Sequence, residues 1–100
     1  MMEQPSDNDM GLRLFYELCE KAQQASQMPE LFDCFFTQEE LSALSLRVRL
    51  VQALLQADQP QRDIAKSLHV SISKITRGSN QLKKIGKSLK SLLQRVMLSV

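Results

Sequence analysis

The chemistry of this chain concentrates between Gln61 and Lys83. The string Ile75-Thr76-Arg77-Gly78-Ser79-Asn80-Gln81-Leu82-Lys83 sets an arginine directly before a glycine and follows it with small polar residues. Just upstream, Ser71, Ser73 and Thr76 supply hydroxyls and Ile72 supplies an apolar tip. Hydroxyls bond base edges or phosphate oxygens, and an isoleucine side chain can touch a thymine methyl. Gln61, Arg62, Lys66 and Lys74 flank this group with donors suited to phosphates. The chemistry is that of a polyanion contact, not of bond-making: no nucleophile–base pair, metal cluster or phosphate loop accompanies it, so an enzyme is not expected.

Charge reinforces this reading. Residues 1–46 carry two Lys/Arg against nine Asp/Glu, a net of −7, and residues 47–100 carry eleven against two, a net of +9. The two halves sum to the chain's +2. A basic half of this strength is the electrostatic footprint of a nucleic-acid binder.

Other classes are excluded on composition. No apolar run reaches membrane-span length, and the start MMEQPSDNDM has no signal-peptide pattern. Cys19 and Cys34 match no metal spacing and are expected to be free, buried thiols of a cytoplasmic protein. His69, the only histidine, leaves too few partners for a His-based zinc site.

The elements that must position these residues are helices. Aromatics are 5%, Gly and Pro number three each, and strand-like alternation is absent. Residues 1–10 lack apolar periodicity and read as a flexible arm, ahead of a single all-helical domain over 11–100. Leu12, Phe15, Leu18, Cys19 and Ala22 predict a first helix running to about Ser26. Pro29 suits the first turn of a second, with Leu31, Phe32, Phe35 and Phe36. Thr37 and Glu40 form a capping box that starts a third, with the stripe Leu41, Leu44, Val48, Val51, Leu55. Pro60 opens a fourth helix through Leu68, and Ser71 N-caps a fifth at Ile72. Ser79 and Asn80 read as the cap of a sixth, reaching Leu98 with Leu82, Ile85, Leu89, Leu92 and Val96 on one face. Phe32, Phe35 and Phe36, with Leu92, Leu93, Val96 and Met97, offer more apolar surface than a small monomer covers, so a symmetric homodimer is expected.

Residues 61–78 fit a helix-turn-helix. Ile64, Ala65, Leu68, Val70 and Ile75 take its inward positions. His69 stands in the turn in place of the common glycine and must supply any left-handed conformation needed there. Ser71, Ile72, Ser73, Thr76 and Arg77 then lie at or near the end of the second helix that enters a major groove.

Over Leu12 to Leu98 the chain resembles the bacterial tryptophan repressor family. The likeness rests on T-x-E-E-x-x-A-L-x-x-R-V-R-L-V-x-x-L-L at 37–55, Q-R-x-I-A at 61–65 and I-T-R-G-S-N-x-L-K at 75–83. The resemblance implies an intertwined, six-helix, all-α homodimer. Its helix-turn-helix heads are expected to bind palindromic operator DNA of tryptophan biosynthesis or transport genes, with L-tryptophan as corepressor.

The resemblance also implies a ligand set. Arg47 and Arg77 match the arginines that sandwich the indole, and Arg77 also pairs with the ligand carboxylate. A planar guanidinium suits both roles. Thr37 matches the threonine near that carboxylate, and the carbonyls of Cys34 and Phe36 match those that receive the ammonium. Val51 and Gly78 match pocket walls. Gln81 departs from the serine usual beside the ammonium: it replaces that hydrogen bond, fills the pocket, or alters ligand choice. Ser45 and His69 replace family glycines. Two readings therefore stand, a tryptophan-dependent repressor and a constitutive or differently liganded DNA-binding protein with an altered or vestigial pocket.

Overall fold

The computed structural model describes residues 7–56 and 58–99. Six helices follow in order: α1 Asp7–Gln24, α2 Met28–Phe35, α3 Gln38–Gln56, α4 Gln61–Leu68, α5 Ile72–Lys84 and α6 Lys87–Met97. Among the described residues there is no strand. The chain divides into two compact units, one ending at Leu41 and the other beginning at Ser42.

In the first unit, α1 begins at Asp7, five residues before Leu12. Of the arm expected over 1–10, residues 1–6 lie outside the described residues and residues 7–10 are helical. An acidic residue such as Asp9 near a helix N-terminus opposes the positive end of its dipole. The helix stops at Gln24, where Ser26 turns left-handed at φ 58° and the Gln27 N–H donates to the Ala22 carbonyl at 2.7 Å. Pro29 stands in the first turn of α2, as its fixed φ favours. Phe15 packs edge-on against Phe32, Phe35 and Phe36, with centroids 5.7, 5.9 and 5.8 Å away. Phe32 and Phe36 stack at 5.2 Å. Edge-to-face and offset pairs of this kind are favoured by the ring quadrupoles. They fasten α2 to α1.

The expected capping box is present. The Glu40 N–H donates to Thr37 Oγ1 at 3.1 Å, and the Thr37 N–H donates to Glu40 Oε1 at 2.9 Å. Two of the donors left over at the start of α3 are thereby satisfied.

The second unit holds a compact core of Leu50, Ile64, Ala65 and Ile75, with Ala53, Leu54, Leu68 and Val70 packed against it. Ile64 and Ile75 are essentially inaccessible. All five inward positions read from the sequence of 61–78 thus belong to this core. The Gln52 side-chain amide donates to the Met97 carbonyl at 2.8 Å, tying the end of α6 to α3.

Three expectations need correction. First, α5 does not end near Gly78; it runs unbroken to Lys84, and the chain breaks at Ile85 and Gly86 instead. Ser79 and Asn80 are helical and cap nothing. A Cβ built on Gly78 would meet Leu50 Cδ2 at 3.2 Å and Leu54 Cδ1 at 3.5 Å. The glycine therefore serves close packing of α5 on α3, a use of glycine that local sequence does not distinguish from a helix end. Second, the buried edge of α3 is Leu50 with Ala53 and Leu54, not the stripe Leu41, Leu44, Val48, Val51, Leu55; Leu44 and Val48 are exposed. The same Gly78 contact draws the Leu50 edge inward. Third, Cys34 is exposed and Cys19 half-buried, so neither free thiol is a core residue.

Candidate nucleic-acid and ligand interface

The turn between α4 and α5 is built from backbone chemistry. His69 caps α4 in the left-handed conformation, φ 57° and ψ 43°, and its N–H donates back to the carbonyls of Ala65 and Lys66. The Val70 N–H donates to the Ala65 carbonyl at 3.0 Å. This doubled return satisfies carbonyls that the helix end leaves open. Ser71 is extended, and its hydroxyl accepts from the Lys74 N–H at 3.3 Å, capping α5 as expected. Val70 lies against the core between the two helices.

This local geometry decides which side chains face outward. Ile75 is buried, whereas Ser71, Ile72, Ser73, Lys74, Thr76 and Arg77 are all exposed. Ile72 keeps 50% of its surface open at the first turn of α5. Gln61, Arg62 and Lys66 are exposed on α4.

A shallow depression of about 490 Å³ runs along α5, lined by Ile72, Ser73, Thr76, Arg77, Asn80, Gln81 and Lys84. These residues form two rows at i, i+4 spacing, 72-76-80-84 and 73-77-81, which an uninterrupted helix places on one face. The structure therefore brings Ile72, Ser73 and Thr76, read as DNA-facing, beside Arg77 and Gln81, read as ligand-facing. Asn80 and Lys84 join them and were missed in the sequence. The i+4 continuation would have found both, once α5 is taken past Gly78.

The remaining ligand-set residues lie on other elements. Arg47 is exposed and Val51 half-buried on α3, one turn apart. Arg47 precedes Leu50 by one turn on α3, and Arg77 directly precedes Gly78 on α5. Leu50 meets the open side of Gly78, so α3 and α5 touch within one turn of each arginine, but Arg47 is not among the residues that line the α5 depression. Gly78 itself turns that open side toward α3.

Cys34, Phe36 and Thr37 belong to the first unit. Phe36 leaves α2 in an extended conformation, φ −121° and ψ 145°, with its N–H donating to the Phe32 carbonyl at 2.9 Å. Carbonyls in the last turn of a helix have no partner further along it and carry the negative end of the dipole. The Phe36 ring is held by Phe15 and Phe32, which fixes the backbone that presents those carbonyls. Thr37 spends its hydroxyl as an acceptor in the α3 cap.

Among the described residues no group of His, Cys, Asp and Glu could hold a metal ion, and no helix is long and apolar enough to cross a membrane.

The family model for the Trp repressor protein matches residues 10–97. A Trp operon repressor homolog from Chlamydia trachomatis serovar D is 36% identical over 90 residues, covering 90% of this chain and 96% of that protein. One from Chlamydia caviae is 39% identical over 89 residues, covering 89% and 88%. A third, from Vibrio cholerae serotype O1, is 37% identical over 98 residues, covering 98% and 93%. The six-helix, all-α architecture agrees with that family's fold. The matches extend over nearly the whole chain and include α4, α5 and the depression along α5. The chain belongs to the Trp repressor family, a family of transcription regulators.

Proposed function

We propose that this protein is a homodimeric repressor that binds a palindromic operator when L-tryptophan occupies a site under each reading head. The observation that carries this reading is the single exposed face of α5, where Ile72, Ser73 and Thr76 share one rod with Arg77 and Gln81. A ligand held by the second group acts directly on the helix that presents the first.

In this mechanism α4 and α5 work as a helix-turn-helix. The N-terminal end of α5 enters the major groove, where Ser71, Ser73 and Thr76 bond base edges or phosphates and Ile72 meets a thymine methyl. Gln61, Arg62, Lys66 and Lys74 hold phosphates on either side and release counterions as they do so. Arg47 and Arg77 sandwich the indole, and Arg77 pairs with the carboxylate near Thr37. The carbonyls of Cys34 and Phe36 receive the ammonium, with Val51 and Gly78 as walls and Gln81 beside the ammonium.

Dimerisation is supported by what the protomer leaves uncovered. Leu44, Val48, Leu89, Leu92 and Val96 are exposed, whereas only Ala22, Leu50, Ile64, Ala65 and Ile75 are buried apolar residues among those described. Such a small core beside so much open apolar surface suits a chain completed by its copy. The genes served are those of tryptophan biosynthesis or transport, and the site of action is the cytoplasm.

A second reading is favoured by Gln81, whose longer side chain lines the α5 depression: a constitutive or differently liganded DNA-binding protein with an altered or vestigial pocket. One experiment separates the two. Duplexes are selected from a random pool with and without L-tryptophan, and the ligand is titrated in parallel by fluorescence. The chain has no tryptophan and one tyrosine, so indole emission reports the ligand alone. Palindromic selection that requires tryptophan, with a shift in indole emission, supports the corepressor reading. Equal selection with and without ligand supports the second.

A further inference from the structure

We propose that His69 is a DNA-contacting residue, its imidazole donating a hydrogen bond to a backbone phosphate of the bound duplex. The inference rests on the DNA-binding reading above and adds a contact that the helix-turn-helix pattern does not assign.

The starting observation is conformational. His69 holds φ 57° and ψ 43°, a region that glycine enters freely and that crowds the Cβ of other residues. The turn does not need the ring. Its hydrogen bonds run from the backbone N–H groups of His69 and Val70 to the carbonyls of Ala65 and Lys66. The side chain is exposed, and among the described residues no hydrogen bond or ion pair engages it. A bulky residue stands where glycine fits better, and the fold makes no use of what distinguishes the two.

The left-handed conformation alone is not a function, because Ser26 shares it at φ 58° in the turn after α1. What sets His69 apart is its neighbourhood. Arg62 and Lys66 stand one turn apart and exposed on α4, and His69 follows Lys66 by three residues in the cap that ends this helix. Two residues beyond, Ser71 caps the end of α5 that the proposed mechanism sends into the groove, and Lys74 stands in its first turn. His69 thus falls in the gap between the phosphate-gripping cations of α4 and the start of the reading helix. An imidazole carries at least one N–H donor whether neutral or charged, so the contact is available in either state. Phosphate oxygens are the acceptors that a duplex presents at such a rim.

The test is His69→Gly, which keeps the turn and removes the ring. Its binding to a mixed-sequence duplex of about two helical turns at low salt is followed by fluorescence anisotropy, alongside its thermal unfolding. Phosphate contacts do not depend on sequence, so no operator is required. The expected result is a melting temperature equal to or above that of the parent, with affinity lower by about three- to tenfold, the range of one ordinary solvent-exposed hydrogen bond. His69→Asn, which also tolerates the left-handed region, should lose affinity similarly, since the shorter amide does not reach as far. Unchanged affinity in His69→Gly overturns the inference. So does a loss of affinity that comes with a lower melting temperature, which would place the effect in the turn. If the parent chain fails to bind any duplex, the DNA-binding reading itself falls, and the inference with it.

Discussion

Replacing Gly78 with alanine sets two effects of known size against each other. Glycine in a helix interior is about 1 kcal/mol less favourable than alanine, so the substitution gains roughly that much from propensity. The added methyl, however, meets Leu50 Cδ2 at 3.2 Å and Leu54 Cδ1 at 3.5 Å. Leu50 is 7% exposed and belongs to the core with Ile64, Ala65 and Ile75, so it has little room to retreat. Overpacking of such a site costs about 1–3 kcal/mol. Taking the middle of that range, Gly78→Ala destabilises the protein by about 1 kcal/mol, a fall of about 4–8 °C in melting temperature for a domain of this size. The assay is urea unfolding followed by circular dichroism at fixed protein concentration, since any self-association couples to stability. A second arm isolates the cause. Leu50→Val removes the atom that makes the closest approach, so in that background Gly78→Ala should stabilise by up to about 1 kcal/mol. The resulting coupling of about 2 kcal/mol stands well above the few tenths expected of independent sites. A raised midpoint for Gly78→Ala alone, or additive effects of the two substitutions, would refute the packing account of this glycine.

Ile75→Ala should destabilise by about 2–5 kcal/mol, because Ile75 is fully buried in the core that joins α4 and α5; urea unfolding measures it. On the proposed corepressor mechanism, Arg77→Lys should weaken tryptophan binding by about tenfold or more, read from indole fluorescence, since an ammonium neither lies flat on an indole nor grips a carboxylate in bidentate fashion. In the absence of ligand its binding to mixed-sequence DNA should stay close to that of the parent. Lys74→Ala should weaken binding to all duplexes alike and reduce the slope of log affinity against log salt by about 0.9, the share of one phosphate contact.

What the sequence disclosed was local chemistry, and what it concealed was contact between distant segments. Thr37 with Glu40, Ser71 at the start of α5 and the left-handed His69 were each legible, because a cap or turn is decided within four residues. The inward positions from Ile64 to Ile75 were legible through their spacing. Gly78-Ser79-Asn80 was misread for the same reason: these residue types favour helix ends, and only Leu50 and Leu54, over twenty residues away, explain a glycine in mid-helix. The choice between two apolar stripes on α3 was equally hidden, since both are helical in period and the partner surface selects between them. Asn80 and Lys84 escaped notice because the face they complete exists only if α5 continues. The family resemblance supplied the ligand set, which spacing alone does not single out.

The continuity of α5 has a mechanical consequence. A chain broken at Gly78 would be a hinge, free to absorb a displacement on one side without moving the other. As one thirteen-residue rod, it would act as a lever if its close seat on Leu50 and Leu54 at Gly78 served as the fulcrum. Ile72 lies six residues from that fulcrum, about 9 Å along the axis, and Gln81 lies three residues to the other side, about 4.5 Å. A push of about 0.8 Å at Gln81 tilts the rod by about 10° and swings the Ile72 end by about 1.6 Å. That excursion exceeds the distance tolerance of a hydrogen bond. The arms differ twofold in length, so on that pivot a small event at the short arm would be doubled at the long one.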